Sequence, residues 1–261
     1  WSIQVQTLTP ILNARNDDEF TAFMIACNNG DNNVVKLLLD HSEPSIELNA
    51  KDNLDGCTAF MWACREGKRD VVQLFLDHSD PSIELNAKGN DGWTALIWAC
   101  YEGQKDVIKL LLDHSDKNID FNAKDNDGLT AFMWACNKGH KDVVQLSLNH
   151  SDPNVDLKAK DNDGWTALIC ACHEGQKDVV KLLLDHSDPK FDVNAKDNDG
   201  CTALMMGCYG GHTEVVQMLL NHSDQNIEVN AKDNEGLTAF MRACSEGQKD
   251  VVQLLLDHSV S

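Results

Sequence analysis

Apolar and polar positions follow one pattern that returns along the whole chain. The Thr-Ala pairs at Thr58, Thr94, Thr130, Thr166, Thr202 and Thr238 lie 36 residues apart. Thr21 opens one more copy 37 residues before Thr58, and its extra residue falls in the stretch Asp-Asn-Leu-Asp-Gly at 52–56. Self-similarity with a period of this size marks an array of small supersecondary units. Seven copies, beginning near 17, 53, 90, 125, 161, 197 and 233, form a single array over residues 1–261, and residues 1–16 read as the tail of a preceding repeat or an N-terminal cap.

The copy at 91–126 shows how one unit is built. Thr94 is placed to cap a helix, because its hydroxyl can accept an early backbone N–H. Residues 95–102 then read as a short helix, stopped by Gly103 where a left-handed residue is wanted. Residues 105–114 form a second helix, with Asp106 in its first turn and His114 at its end, both suited to the helix dipole. A long loop follows, with turn chemistry in Asn126, Asp127 and Gly128. On a helical wheel Leu96, Ala99 and Cys100 share one face, while Trp98 lies about 200° from Leu96 and Tyr101 beside Trp98. Neither short helix buries its apolar face alone, whereas stacked neighbours do.

These residues resemble the ankyrin repeat. Gly92, Thr94, Leu96, Ala99, Gly103, Val107, Leu110, Leu111 and Asn122 match the family pattern, and the match recurs in every copy. The resemblance implies an all-α repeat solenoid of paired antiparallel helices with projecting β-turn fingers, curved so that one face is concave. The other common helical array, of the tetratricopeptide kind, has a period of about 34 residues and no finger. It lacks the Gly-x-Thr start.

The chain departs from the family in three ways. The family's Thr-Pro-Leu-His becomes Thr-Ala followed by Leu or Phe and then Met or Ile. That removes the histidine that ties neighbouring repeats and puts Met61, Met133, Met205 and Met241 in its place. Ser-Asp-Pro and three extra residues after the second helix lengthen the unit from about 33 residues and predict an extended outer loop. Lys158 stands where other copies carry a loop Asn.

Composition narrows the chemistry. The apolar fraction of 42% with 25% charged residues reads as soluble and globular. The chain has no apolar run of the roughly 18 residues a membrane span needs. It opens at Trp1 without an initiator Met or a basic-then-apolar leader, which reads as a mature or excised piece of something longer. A net charge of −20 argues against nucleic acid, which is bound through Lys and Arg, and favours a partner with a basic surface.

Cys27, Cys64, Cys100, Cys136, Cys172, Cys208 and Cys244 share one repeat position and read as small packing residues. Stacked helices lie about 8–10 Å apart, too far for disulfides between them. Reduced thiols suggest an intracellular, cytoplasmic setting. Cys57 and Cys201 follow the turn Gly and are expected to be exposed and modifiable. Cys170, Cys172 and His173 do not share a helix face, so no metal site is expected. The histidines at His41, His78, His114, His150, His186, His222 and His258 recur once per repeat and read as helix ends. The Asp-Asn-Asp-Gly turns fail the calcium pattern, because Trp134, six residues after Gly128, stands where a bidentate Glu is needed. The sequons at Asn149 and Asn221 are incidental variants of the repeated Asp-His-Ser. No cofactor and no catalytic set is expected.

Function therefore falls to the positions that vary between copies. Three such positions hold Cys57, Trp93, Leu129, Trp165, Cys201 and Leu237; Trp62, Trp98, Trp134, Cys170, Met206 and Arg242; and Arg65, Tyr101, Asn137, His173, Tyr209 and Ser245. In the family such positions bind partners. The candidate binding residues are Trp62, Trp93, Trp98, Tyr101, Leu129, Trp134, Trp165, His173, Tyr209 and Arg242. An aromatic stripe should run through repeats two to five, although the same indoles can instead pack between helix and finger. Asp125, Asp127, Asp161, Asp163, Asp197 and Asp199 would rim it and steer a basic partner.

Ser147 replaces Leu or Phe and should loosen the fourth repeat. The terminal repeats lack a polar outer face, so end-on docking to another subunit or to further repeats is expected. The reading is a non-catalytic module that binds a protein or peptide. The alternative is a substrate-recognition or regulatory scaffold part of a larger enzyme, channel or ubiquitin ligase.

Overall fold

The computed structural model describes residues 11–40, 46–78, 82–114, 118–149, 155–186, 192–222 and 227–259. His41, His150, both sequon serines and the first part of each lengthened outer loop lie outside the described residues. Fourteen helices in seven pairs are present among the described residues, the architecture of an all-α repeat solenoid. They divide into two compact units, the described residues up to 126 and those from 127 onward.

The first unit holds α1 (Ala22–Asn29), α2 (Asn32–Leu39), α3 (Ala59–Arg65), α4 (Arg69–Asp77), α5 (Ala95–Tyr101) and α6 (Lys105–Asp113). The hydroxyls of Thr21, Thr58 and Thr94 accept the N–H groups of Met24, Met61 and Ile97 at 3.2, 3.4 and 3.3 Å, as an N-cap requires. Gly103, at φ 72, reverses the chain into the second helix. Packing is aromatic here, with Phe75 lying 5.2 Å between ring centroids from Phe60 of its own repeat and 5.7 Å from Phe23 of the repeat before. Nδ1 of His114 is 2.9 Å from the Leu110 carbonyl, so the recurrent histidine satisfies a helix-end acceptor in this repeat.

The second unit holds α7 (Ala131–Lys138), α8 (Lys141–Asn149), α9 (Ala167–His173), α10 (Lys177–Asp185), α11 (Ala203–Tyr209), α12 (Thr213–Asn221), α13 (Ala239–Ser245) and α14 (Lys249–Ser259). Thr130, Thr166, Thr202 and Thr238 cap its first helices in the same way. Ser147 occupies the α8 position where α10 and α12 bury Leu183 and Leu219. It is only half-buried, and its hydroxyl donates to the Val143 carbonyl at 3.0 Å.

Neighbouring repeats are tied by periodic hydrogen bonds that take over from the missing histidine. Each finger bonds the one before it. Asn90 N–H donates to Asp55 O at 2.8 Å in the first unit, and Asn198 N–H to Asp163 O at 2.9 Å in the second. Gln104 and Gln176 reach back to the carbonyls of Arg65 and Asn137, both at 2.8 Å. Met61, Met133 and Met205 are buried at the old histidine position, whereas Met241 is exposed.

In the outer loops Asn86 Oδ1 accepts Asp120 N–H at 2.9 Å, and Asn194 Oδ1 accepts Glu228 N–H at 2.9 Å. Lys158 has no acceptor to offer, and a cavity of about 420 Å³ lies there instead.

Candidate partner-binding surface

In the first unit the aromatic side chains form one connected cluster. The Trp62 indole N–H donates to Asp52 Oδ2 at 2.7 Å, while Asp52 Oδ1 accepts three N–H groups of its own finger, from Leu54, Asp55 and Gly56. Trp62 therefore fastens helix α3 to the finger. One turn further on, Arg65 pairs with Asp55 at 2.9 Å. Its guanidinium lies 4.1 Å from the Trp98 ring centroid and 4.9 Å from that of Trp62, within cation–π range. Trp93 packs at 4.4 Å on Trp98 and 4.9 Å on Tyr101. All four aromatic side chains are half-buried, so each both packs and reaches the surface.

Trp98 differs from Trp62 because of one glycine. The finger Asp at Asp52, Asp125, Asp161, Asp197 and Asp233 becomes Gly89 in the third repeat. The buried Trp98 indole N–H accordingly finds no nitrogen or oxygen acceptor among the described residues, and the Cys57 sulfur faces it. A Cβ at Gly89 would lie 2.6 Å from the Asp55 carbonyl oxygen, in the finger lengthened by Leu54. The insertion and the glycine thus fit each other.

In the second unit the rings are arranged around an opening. Trp165 lies 4.9 Å from His173, and His173 is stacked on Tyr209 at 6.4 Å with 17° between planes. His173 Nδ1 is 3.0 Å from Glu174 Oε1. Together with Asp199, Cys201, Met205, Met206 and Arg242, the three rings line a pocket of about 300 Å³. Arg242 takes the position of Trp62 and also bonds its finger, with Nη2 at 2.7 Å and Nε at 2.9 Å from Asp233 Oδ2. Burial works to raise the Asp233 carboxyl, but the Leu237 N–H and the Arg242 guanidinium outweigh it and hold that carboxyl below its usual range. Trp134 sits on α7 with Lys138 Nζ 5.7 Å from its ring centroid, and Leu129 is half-buried behind Gly128.

The structure thus sorts the candidates into two sets, one in each unit, where the sequence suggested one stripe. It also adds Arg65, the hinge of the first cluster. The lone Gly among the finger aspartates is the sequence signal that separates Trp98 from the other tryptophans.

Two expectations are corrected. Cys57 and Cys201 are buried, at 1% and 4% exposure, because a short side chain at this position stays within the packed layer, whereas the larger Trp93, Leu129 and Trp165 of other copies reach the surface. Cys201 N–H donates to Asp197 Oδ1 at 2.7 Å. Burial pushes the two thiols up to about 12 and about 11. Of the ten cysteines only Cys244 is exposed. In a titration of the native protein with a thiol-specific disulfide reagent, Cys244 is expected to react at once and the nine buried thiols only on unfolding. Fast reaction of two or three thiols would show that the finger positions open.

The second correction concerns the acidic rim. Asp125 and Asp197 are buried and Asp161 is half-buried. Asp161 and Asp197 spend a carboxylate oxygen on finger N–H groups. The exposed acids are Asp127, Asp163 and Asp199.

The family model for ankyrin repeats, in three copies, matches residues 4–88, 23–125, 118–197 and 187–261. The chain belongs to the ankyrin-repeat family. Ankyrin repeats generally mediate protein–protein interaction and are typically non-catalytic. A comparison with curated proteins gives no match. Among the described residues no helix is long and apolar enough to cross a membrane, and no group of three or more His, Cys, Asp or Glu is placed to hold a metal ion.

Proposed function

We propose that this protein is a non-catalytic recognition module that binds a protein or peptide partner through its two aromatic clusters. The observation that carries the reading is the half-buried stack of Arg65, Trp98, Trp93 and Tyr101. Tryptophan, tyrosine and arginine are the residues most often found to anchor interfaces, and rigid packing of this kind lowers the entropy lost on binding. The exposed Asp127, Asp163 and Asp199, with a net charge of −20, favour a basic partner surface. Ten cysteines without a disulfide support a reducing, intracellular setting.

The test is capture of interacting proteins on the wild type and on two double variants, Trp93→Ala/Trp98→Ala and Trp165→Ala/Tyr209→Ala, each checked for an unchanged helical signal. A partner held by the wild type is expected to lose roughly 30-fold or more in affinity to at least one variant. Equal binding by all three would overturn the reading.

A second reading has its own support. Phe240, Met241 and Leu256 are 39%, 47% and 46% exposed, although earlier repeats bury the first two positions. End-on docking of a further repeat or another subunit would cover them, as in a recognition or scaffold part of a larger assembly.

A further inference from the structure

The pocket of the second unit exists because two indoles are missing. Cys201 stands at the repeat position of Trp93, and Met206 at that of Trp98. In the third repeat those two rings pack 4.4 Å apart, whereas in the sixth a pocket of about 300 Å³ remains. What the first unit holds against Trp98 is a cation, the Arg65 guanidinium, with Asp55 as its counter-ion. In the fifth repeat His173 takes the place of Arg65. The carboxylates equivalent to Asp55, those of Asp163 and Asp199, remain exposed and make no ion pair among the described residues. Arg242 at the far wall does not reverse the charge. It is doubly bonded by Asp233 and lies 3.9 Å from Glu235, so with Asp199 three carboxylates face one guanidinium.

Resting on the recognition reading above, we infer that this pocket takes the side chain of an arginine from a basic peptide partner. The planar guanidinium stacks on the Trp165, His173 and Tyr209 rings and bonds to Asp199 at the rim. Lysine, a compact and strongly hydrated point charge, gains less from the ring faces.

The test titrates the full chain with N-acetyl-arginine amide and follows the Trp165 indole N–H by NMR. A saturable shift is expected, absent with the uncharged citrulline analogue and weakened about tenfold by Asp199→Asn. Cys201→Trp/Met206→Trp should abolish it. This variant restores the pair found in the third repeat, and the new indole at position 206 can bond Asp197 as Trp62 bonds Asp52, so an unchanged melting curve is the folding control. An unmoved Trp165 signal, an equal shift with citrulline, or tighter binding of N-acetyl-lysine amide would each overturn the inference. The two readings fail separately. A captured partner that binds the pocket-filled variant like the wild type, but not Trp93→Ala/Trp98→Ala, sinks the arginine pocket and leaves the recognition module standing. An arginine-specific shift at Trp165, with a partner indifferent to all the aromatic variants, does the reverse.

Discussion

Gly164→Ala is expected to destabilise the protein by about 2–4 kcal/mol, the sum of a left-handed backbone penalty and one or two lost hydrogen bonds. Gly164 sits at φ +82, which a Cβ disfavours on its own. That Cβ would also lie 2.6 Å from Asn198 Oδ1 and 2.8 Å from Asn198 N, so the next finger must move away. The movement breaks the Asn198 N–H bond to Asp163 O and the Asn198 Nδ2 bond to Asn162 O, both 2.9 Å. The chain contains its own control. Gly236 has nearly the same φ, +81, but nothing lies within 4 Å of a Cβ there. Gly236→Ala should cost only the backbone penalty, about 1–2 kcal/mol. Urea unfolding of the two variants side by side measures the difference, which is the contribution of the finger ladder. Equal losses would mean that the ladder contributes nothing to coupling.

Ser147→Leu is expected to stabilise the protein by about 1–2 kcal/mol, the transfer free energy of a largely buried leucine. The serine is half-buried at a position where Leu183 and Leu219 are fully buried. Its hydroxyl bonds back to the Val143 carbonyl, a contact that adds little inside a helix. Thermal melting should rise by roughly 2–4 °C for each kcal/mol in a chain of this size. Ser147→Ala removes the hydroxyl without filling the space and should change little. A lower melting temperature for Ser147→Leu would show that the repeat has closed around the serine and is overpacked by the larger side chain.

Most of the fold can be read along the chain because its causes are local. A Thr cap, a seven- or eight-residue apolar helix and a left-handed Gly act within one unit, and each copy repeats the same instructions. The predicted ends of the helices at 102 and 114 moved by one residue, to Tyr101 and Asp113, where the capping bonds shift the boundary. The fate of Cys57 and Cys201 was not legible in this way. Nothing adjacent in sequence announces that a short side chain after the turn Gly ends inside the packed layer while the indoles and leucines at the same position reach the surface. The same holds for the acidic rim, since Asp161 and Asp197 serve their own fingers and Asp125 is buried.

By itself, then, the sequence determined the repeat, the helix pairs, the packing role of six of the seven once-per-repeat cysteines and the set of positions free to vary, because short-range periodicity and capping decide those. Cys244, expected to pack like the others, is exposed because no later repeat among the described residues covers α13. Only the tertiary structure decided which variable residues meet. Arg65 reaches Trp98 from the preceding repeat, Arg242 turns back to Asp233, and Cys201 with Met206 leaves open the space that Trp93 and Trp98 fill. The physical reason is distance along the chain. Arg65 and Trp98 come from different repeats and meet only once stacking has brought one repeat against the next, while the Arg242–Asp233 and Trp93–Trp98 contacts form only once a finger has folded back on its own helix.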